Sequence, residues 1–182
     1  VLRRLTDELR VMATQDPLTG LLNRRGLMAC LEMHFRSRTA GNAHLLIVDI
    51  DHFKRINDTH GHQMGDLVLG RVAQVLQATA RKGDLICRLG GEEFLVVALD
   101  IEPAGAFQLA ERLREVISHS EVPSLSAQGP IRCTVTIGVS QGFSHPQALD
   151  AVLQQADAAL YRGKESGRDR VESAFAPLPL PA

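Results

Sequence analysis

The chain has few cysteines and no long apolar run, and both absences narrow the class of protein. Cys30, Cys87 and Cys133 are odd in number and widely spaced, so they predict neither a disulfide framework nor a CxxC zinc site. We expect reduced thiols in a cytosolic domain. No apolar run approaches the roughly 20 residues of a membrane helix, and no signal segment opens the chain. The sequence therefore predicts no membrane segment.

An excess of charge of either sign is also lacking. The 20 lysines and arginines balance 21 aspartates and glutamates, which gives a formal net charge of −1. Counterion-release binding to nucleic acid requires a broad positive field, and this composition does not provide one. We therefore expect no nucleic acid partner, and any anionic ligand must be held by a local site.

At 182 residues and 45% hydrophobic composition, the chain is sized for one globular domain with short extensions. Residues 1–13 predict the end of a signalling stalk, because their apolar residues follow coiled-coil a/d spacing, namely Leu2, Leu5, Leu9 and Met12. An ordinary amphipathic helix lying on the domain is the alternative. Residues 174–182, rich in proline and alanine, predict a disordered tail. Because the chain begins at Val1, we expect a longer parent protein.

Periodicity and turn signals predict helices that alternate with strands, hence an α+β or α/β fold with helices on the faces of a sheet. Helices are expected over 24–38, 53–58, 66–80, 104–118 and 146–165. Strands are expected over 44–51, 85–89, 93–99 and 131–140. A glycine turn is predicted at 61–65, with Asp66 available to cap the following helix.

The most informative segment joins a tight turn to two acids, Gly90-Gly91-Glu92-Glu93-Phe94. Paired glycines tolerate positive φ and let a ligand approach the backbone. A second acidic strand end carries Asp49 and Asp51, although a merely solvated strand end is the alternative. Side by side, the two ends would form a divalent-metal site, because Mg²⁺ takes oxygen ligands and shares them with phosphates. Glu92 and Glu93 face opposite sides if extended, so only one is expected to be a direct ligand.

Two further polar groupings have both a functional and a structural interpretation. Between Asn57 and Asp66, amide and carboxylate groups match the hydrogen-bonding edge of guanine, whereas helix capping is the structural alternative. Lys164 and Arg168 are four residues apart, on one face if the helix persists, where two cations could clasp a triphosphate. Favourable placement near a negative helix end is their alternative. A Walker A motif at Gly163-Lys164 is excluded, because it would need a glycine five residues before Gly163 and a serine or threonine after Lys164. Position 158 is alanine and position 165 is glutamate.

Five motifs follow one another along residues 14–173: Asp16-x-Leu18-Thr19-Gly20-Leu21-x-Asn23-Arg24, Asp49-x-Asp51-x-Phe53-Lys54-x-Ile56-Asn57-Asp58, Gly61-His62-x-x-Gly65-Asp66, Gly90-Gly91-Glu92-Glu93-Phe94 and Tyr161-x-x-Lys164-x-x-Gly167-Arg168. Together they resemble the GGDEF family of diguanylate cyclases, with the signature in its GGEEF form. The sequence departs from the family at His52, where many relatives carry an aromatic residue.

The resemblance implies a palm-type nucleotidyl cyclase fold, with a mixed or antiparallel sheet flanked by helices. It implies that a homodimer condenses two GTP into cyclic di-3′,5′-GMP and two pyrophosphates. Two Mg²⁺ or Mn²⁺ ions per active site would be held by Asp49, the Ile50 carbonyl and Glu92. The implied catalytic residues are Glu92, Glu93 and Lys54. The implied substrate-binding residues are Asn57, His62, Asp66, Phe53, Lys164 and Arg168.

Regulation is implied by a second site, which the family often forms from an RxxD motif before the hairpin. Arg81 and Asp84 match this product-binding inhibitory motif, and Arg112 matches a secondary arginine. A solvated helix-to-strand turn is the alternative. The resemblance also implies an upstream sensory or receiver domain and a place in the bacterial cytoplasm. The full-length protein could be membrane-anchored through its upstream region.

Two other functions compete with the cyclase. One is a catalytically silent module that binds GTP or cyclic di-GMP, and the other is a polymerase-like enzyme with the same palm. Degenerate relatives usually lose the hairpin acids or the metal aspartate, whereas Asp49, Glu92 and Lys54 are present here. Neutral charge and the lack of a basic, aromatic strand disfavour a nucleic acid template. The sequence therefore favours the cyclase.

Overall fold

A computed structural model describes residues 13–37, 42–124 and 129–175. The predicted stalk therefore lies outside the described residues except for its last position, and the predicted tail except for its first two. The helices are α1 (Arg24–Arg36), α2 (Phe53–His60), α3 (His62–Thr79), α4 (Pro103–Ser118) and α5 (Leu149–Glu165), with a 3₁₀ turn at Pro146–Ala148. The strands are β1 (Ala43–Ile50), β2 (Leu85–Gly90), β3 (Glu93–Leu99), β4 (Val135–Val139) and β5 (Val171–Ser173).

The strands form one mixed sheet in the order β2-β3-β1-β4-β5. All neighbours are antiparallel except β4 and β5, which are parallel. Strand β1 lies at the centre and is buried along its whole length, which explains its nearly continuous apolar run. The predicted α+β class with a mixed sheet is confirmed.

Alternate residues of β1 divide the core into two layers. Leu46 and Val48 pack with the apolar faces of α3 and α4, whereas Leu45 and Ile47 pack with α1 and α5. Successive side chains of a strand point to opposite faces, so one central strand serves both layers. Helix α1 begins where predicted, because the Asn23 side chain accepts a hydrogen bond from the Gly26 N–H at 2.9 Å.

The segment before α1 covers β2, which is the first strand of the sheet. The N–H of Leu22 donates to the Ile86 carbonyl at 3.2 Å, and the N–H of Arg88 donates to the Leu22 carbonyl at 2.9 Å. Leu22 also forms a parallel bridge with Cys87. The Ile86 carbonyl and the Arg88 N–H, on the outer side of β2, therefore have partners within the chain.

The structure differs from the sequence prediction at three elements: the start of α3, the length of β4 and the presence of β5. The predicted turn at 61–65 is helical, because Gly61 (φ +85°) ends α2 and α3 begins at the next residue. Asp66 therefore lies inside α3 and does not cap it. The predicted strand 131–140 shortens to β4, and β5 was missed because three residues carry too little pattern to predict a strand.

Candidate active site

The two acidic strand ends meet at one end of the sheet. The pairing of β1 with β3 places Asp49 opposite Glu93, and the Ile50 N–H donates to the Glu92 carbonyl at 3.4 Å. Directly opposite residues of an antiparallel pair present their side chains on the same face. Asp49 and Glu93 therefore share a face, while Glu92 lies in the turn itself.

Asp49 is a buried carboxyl with a lysine close to it. Its side chain is 7% exposed and lies 3.0 Å from the Lys164 ammonium, measured from Oδ2 to Nζ. The pKa of Asp49 is raised to about 6, chiefly by burial; Lys164 opposes the rise, and the charges of Glu92 and Glu93 add to it. The position is therefore one where negative charge accumulates and a cation is stabilised.

A divalent cation fits the donors present here. Carboxylate and carbonyl oxygens are the ligands that Mg²⁺ and Mn²⁺ prefer, and this end of the sheet offers the Asp49 and Glu92 carboxylates beside the Ile50 carbonyl. Among the described residues, no three His, Cys, Asp or Glu side chains form a complete metal site by themselves. A cation bound here would therefore need further ligands besides these protein oxygens.

Helix α2 follows β1 directly and brings its first turn to the same end of the sheet. His52 precedes it with a φ of +55° and turns the chain from the strand into the helix. Phe53 is buried, whereas Lys54 is exposed. The Arg55 N–H donates to the His52 carbonyl at 2.9 Å. The earlier N–H groups of the turn, those of Phe53 and Lys54, have no carbonyl one turn before them, so they would favour an anion here.

The predicted guanine-binding residues come together where α2 meets α3. The Asn57 Oδ1 atom is buried and has no hydrogen-bond partner among the described atoms. A Cβ added to Gly65 would overlap that same oxygen and also crowd the ring of Phe53. Asp66 is the next residue and is exposed, and His62 lies one turn earlier on α3. The missing side chain of Gly65 therefore makes the space that the Asn57 Oδ1 occupies, and this oxygen is an acceptor that no group of the described chain uses.

Lys164 and Arg168 do not share a helical face. Helix α5 ends at Glu165, and the residues that follow it turn away with positive φ at Gly167, Arg168 and Asp169. The condition attached to the sequence prediction, that the helix persists, is therefore not met. The two cations instead lie on either side of the helix end, with Lys164 beside Asp49.

Sequence reasoning missed the contacts that hold the hairpin. Arg88 donates from Nη2 to the Gly91 carbonyl at 2.8 Å, and its Nη1 lies 3.2 Å from both carboxylate oxygens of Asp16. Hydrogen bonds from Thr19 and Arg88 outweigh the opposing effect of burial and lower the pKa of Asp16. Asp16 stands inside the first motif and Arg88 lies two residues before the Gly90-Gly91 turn, but no local signal links positions 72 residues apart.

Residues 13–170 match the family described as diguanylate cyclase, GGDEF domain. The chain belongs to this family. It is 43% identical over 170 residues to diguanylate cyclase DgcP of Pseudomonas aeruginosa, covering 92% of this chain and 25% of DgcP. It is 40% identical over 178 residues to the response regulator PleD of Caulobacter vibrioides, covering 93% of this chain and 39% of PleD. The chain thus spans well under half the length of these curated relatives.

Solved structures of GGDEF domains share the fold. The coiled coil and GGDEF domain of DgcB from Caulobacter crescentus, solved in complex with cyclic di-GMP, has a TM-score of 0.85 and 31% identity. The match covers 94% of this chain and 91% of the DgcB chain. The predicted cyclase fold is therefore confirmed. Within the part of the GGDEF domain that the structure describes, no helix has the length and apolarity to cross a bilayer.

The residues of the predicted inhibitory site lie at the other end of β2. The Asp84 side chain is 2% exposed, and its oxygens accept hydrogen bonds from the N–H groups of Arg81 at 2.9 Å and Leu99 at 3.1 Å. Arg81 is half exposed and donates to the Leu99 carbonyl. Arg112 donates to the carbonyl of Thr79 at 2.8 Å, two residues before Arg81. Within one GGDEF domain, both arginines therefore lie near the start of β2, and Asp84 stabilises the turn that precedes this strand.

Proposed function

We propose that this GGDEF domain condenses two GTP into cyclic di-3′,5′-GMP with release of two pyrophosphates. The observation that carries the proposal is the buried Asp49 carboxylate, which faces the glutamate-bearing hairpin and has a lysine at 3.0 Å. Curated diguanylate cyclases among its relatives support the same activity. We place the domain in the bacterial cytoplasm, as the output of a longer signalling protein with a sensory or receiver region upstream.

Mg²⁺ or Mn²⁺, two per active site, would be held by Asp49, the Ile50 carbonyl and Glu92. Bound metal would lower the pKa of the attacking 3′-hydroxyl and neutralise charge on the phosphate oxygens. Lys164 would exchange its contact with Asp49 for the β and γ phosphates.

The remaining cationic groups around the site act on the phosphates. Arg168 would bind beside Lys164, because a guanidinium can fork onto two phosphate oxygens. Lys54 and the N–H groups around Phe53 would stabilise the charge that develops during transfer. Either Glu92 or Glu93 would assist removal of the 3′-hydroxyl proton. Glu93 shares a face with Asp49, and Glu92 lies at the tip of the turn.

Guanine would be read at the junction of α2 and α3. The unpaired Asn57 Oδ1 offers an acceptor, and Asp66, aided by His62, would accept from the N1–H and N2 amine of guanine. Adenine offers an acceptor at N1 and no N2 amine, so it would leave the Asp66 carboxylate unpaired. Competitive titration of GTP and ATP tests this assignment, because Asp66→Ala should lose most of the preference for GTP. An unchanged preference in Asp66→Ala would contradict it.

Each domain would supply half of the catalytic site. The product is two-fold symmetric, so the 3′-hydroxyl of each GTP must face the α-phosphate of the other, and this requires a homodimer. We also propose that cyclic di-GMP inhibits the domain by binding Arg81 and Asp84, with Arg112 of a neighbouring domain completing the site. The half-exposed Arg81 supports this, whereas the occupied oxygens of Asp84 favour a supporting role for that residue.

Product analysis tests the proposed function directly. The purified chain is incubated with GTP and Mg²⁺, and the nucleotides are separated and identified by mass. We expect cyclic di-GMP and pyrophosphate, with none from ATP alone and none from Asp49→Asn. Tight binding of GTP or cyclic di-GMP without any product, in a sample shown to be dimeric, would instead identify a silent signalling module.

A further inference from the structure

Asp51 is a buried carboxylate that the proposed chemistry leaves without a role. It is 5% exposed and lies two residues after Asp49, where β1 runs into α2. Its Oδ1 accepts a hydrogen bond from the Thr136 hydroxyl at 2.6 Å. Its Oδ2 accepts from the Thr134 hydroxyl at 2.7 Å and from the backbone N–H of Asp169 at 3.0 Å. The carboxylate therefore joins the end of β1 to the segment after α5.

That segment needs such support because its backbone is strained. Gly167, Arg168 and Asp169 have φ values of +109°, +64° and +45° in succession. A positive φ at a non-glycine residue is strained and persists only where neighbours hold it. Asp169 is held twice, by its N–H bond to Asp51 and by its carboxylate at 2.9 Å from Nη1 of Arg114.

Arg168 lies between two fixed peptide groups. Its own N–H donates to the Gly163 carbonyl at 3.0 Å, and the next N–H, that of Asp169, donates to Asp51. Fixing both peptides sets the direction in which the exposed Arg168 side chain leaves the backbone. The first of these hydrogen bonds ties the loop to α5, the helix that carries Lys164. The second ties it to the end of β1, close to Asp49.

We infer that Asp51 is a positioning residue for Arg168, an inference that rests on the proposed binding of the β and γ phosphates by Arg168. Asp51 fixes where the guanidinium stands relative to Lys164 and Asp49. Its oxygens are directed to two threonines and an amide, so it acts without ligating metal. Bidentate contact to a phosphate depends on orientation, and a small rotation of the loop would break it.

The test compares a non-hydrolysable GTP analogue with GMP, which lacks the β and γ phosphates, by calorimetric titration in the presence of Mg²⁺. We expect Asp51→Ala to weaken the analogue about tenfold, the loss for one misplaced charge-assisted contact, and to change GMP less than about twofold. In an Arg168→Ala background, Asp51→Ala should add nothing, because the group it positions is already absent.

Asp51→Asn provides the conservative control. Its amide oxygen can still accept from the Asp169 N–H while its amide nitrogen donates to the Thr136 hydroxyl. We therefore expect the asparagine variant to restore analogue affinity to within about threefold of wild type, since the bond to the loop is kept. A metal ligand would not be replaced in this way, so an asparagine variant as weak as alanine would overturn the inference.

Three other results would also overturn it: equal losses for GMP and the analogue, additive losses with Arg168→Ala, or no loss in Asp51→Ala. If Asp51→Ala fails to fold, Thr134→Val removes one donor from the same oxygen and should weaken the analogue about threefold. Failure of the proposed function has a different signature, because the wild-type domain would then make no cyclic di-GMP from GTP.

Discussion

Gly65→Ala, at the junction of α2 and α3, should weaken GTP binding strongly while lowering the stability of the fold only slightly. A Cβ at this position would overlap the unpaired Oδ1 of Asn57 and press on the Phe53 ring. The asparagine must therefore leave the position from which it would meet guanine. Losing a hydrogen bond to a buried group costs about 1–3 kcal/mol, so GTP affinity should fall between about fivefold and 150-fold.

The stability change should be small by comparison, because two effects oppose each other. Alanine favours a helix by about 1 kcal/mol over glycine, whereas overpacking costs about 1–3 kcal/mol. The net loss of up to about 2 kcal/mol corresponds to a decrease in Tm of no more than about 8 °C for a domain of this size. The decisive quantity is therefore nucleotide affinity.

Gly70→Ala is the matched control, because Gly70 lies on the same helix and a Cβ there would meet nothing within 4 Å. It should raise Tm by about 2–4 °C and leave GTP affinity unchanged. Titration with GTP and thermal unfolding of the three proteins provide the comparison. Wild-type GTP affinity in Gly65→Ala would refute the assignment of Asn57 to guanine.

Three further outcomes are expected. The chain should gain specific activity steeply with protein concentration and again when fused to a stable zipper; activity independent of concentration in a monomeric sample would contradict the half-site arrangement. Arg81→Ala should keep the initial rate and raise the cyclic di-GMP concentration needed for inhibition, as measured by progress curves with added product. Identical inhibition in both proteins would show that Arg81 takes no part in it. Burial raises the pKa of the Cys87 thiol to about 12 from an ordinary 9.0, so its contribution to stability is present below pH 9 and is lost as pH rises toward 12. Iodoacetamide at pH 8 should therefore leave Cys87 unmodified in the folded protein and label it in denaturant, and rapid native labelling would show that the thiol is accessible.

The local sequence was sufficient to predict the hairpin and the acidic end of β1. Each combines an apolar run with a glycine turn or a pair of acids, and such patterns are carried by neighbouring residues. The N-cap at Asn23 was predictable for the same reason. The start of α3 was not, because Gly61 has the appearance of a turn residue, and only its tertiary setting makes it a junction between two helices.

Long-range contacts account for what sequence could not predict. Asp51 was paired with Asp49 by spacing alone, but its partners come from β4 and from the loop after α5, up to 118 residues away. Arg88 meets Asp16 across a comparable gap. The order of the strands in the sheet determines which distant residues meet, and this order cannot be read from any single segment of the sequence.

The pairing of Leu22 with β2 determines where this domain can be shortened. A chain that begins at Asn23 would retain α1–α5 and β1–β5 but would leave the backbone N–H of Arg88 and the carbonyl of Ile86 without their Leu22 partners. An uncovered strand edge recruits strands from other molecules, so such a truncation should self-associate. In the intact domain the Arg88 amide should exchange slowly with deuterium, although β2 occupies the outermost place in the sheet.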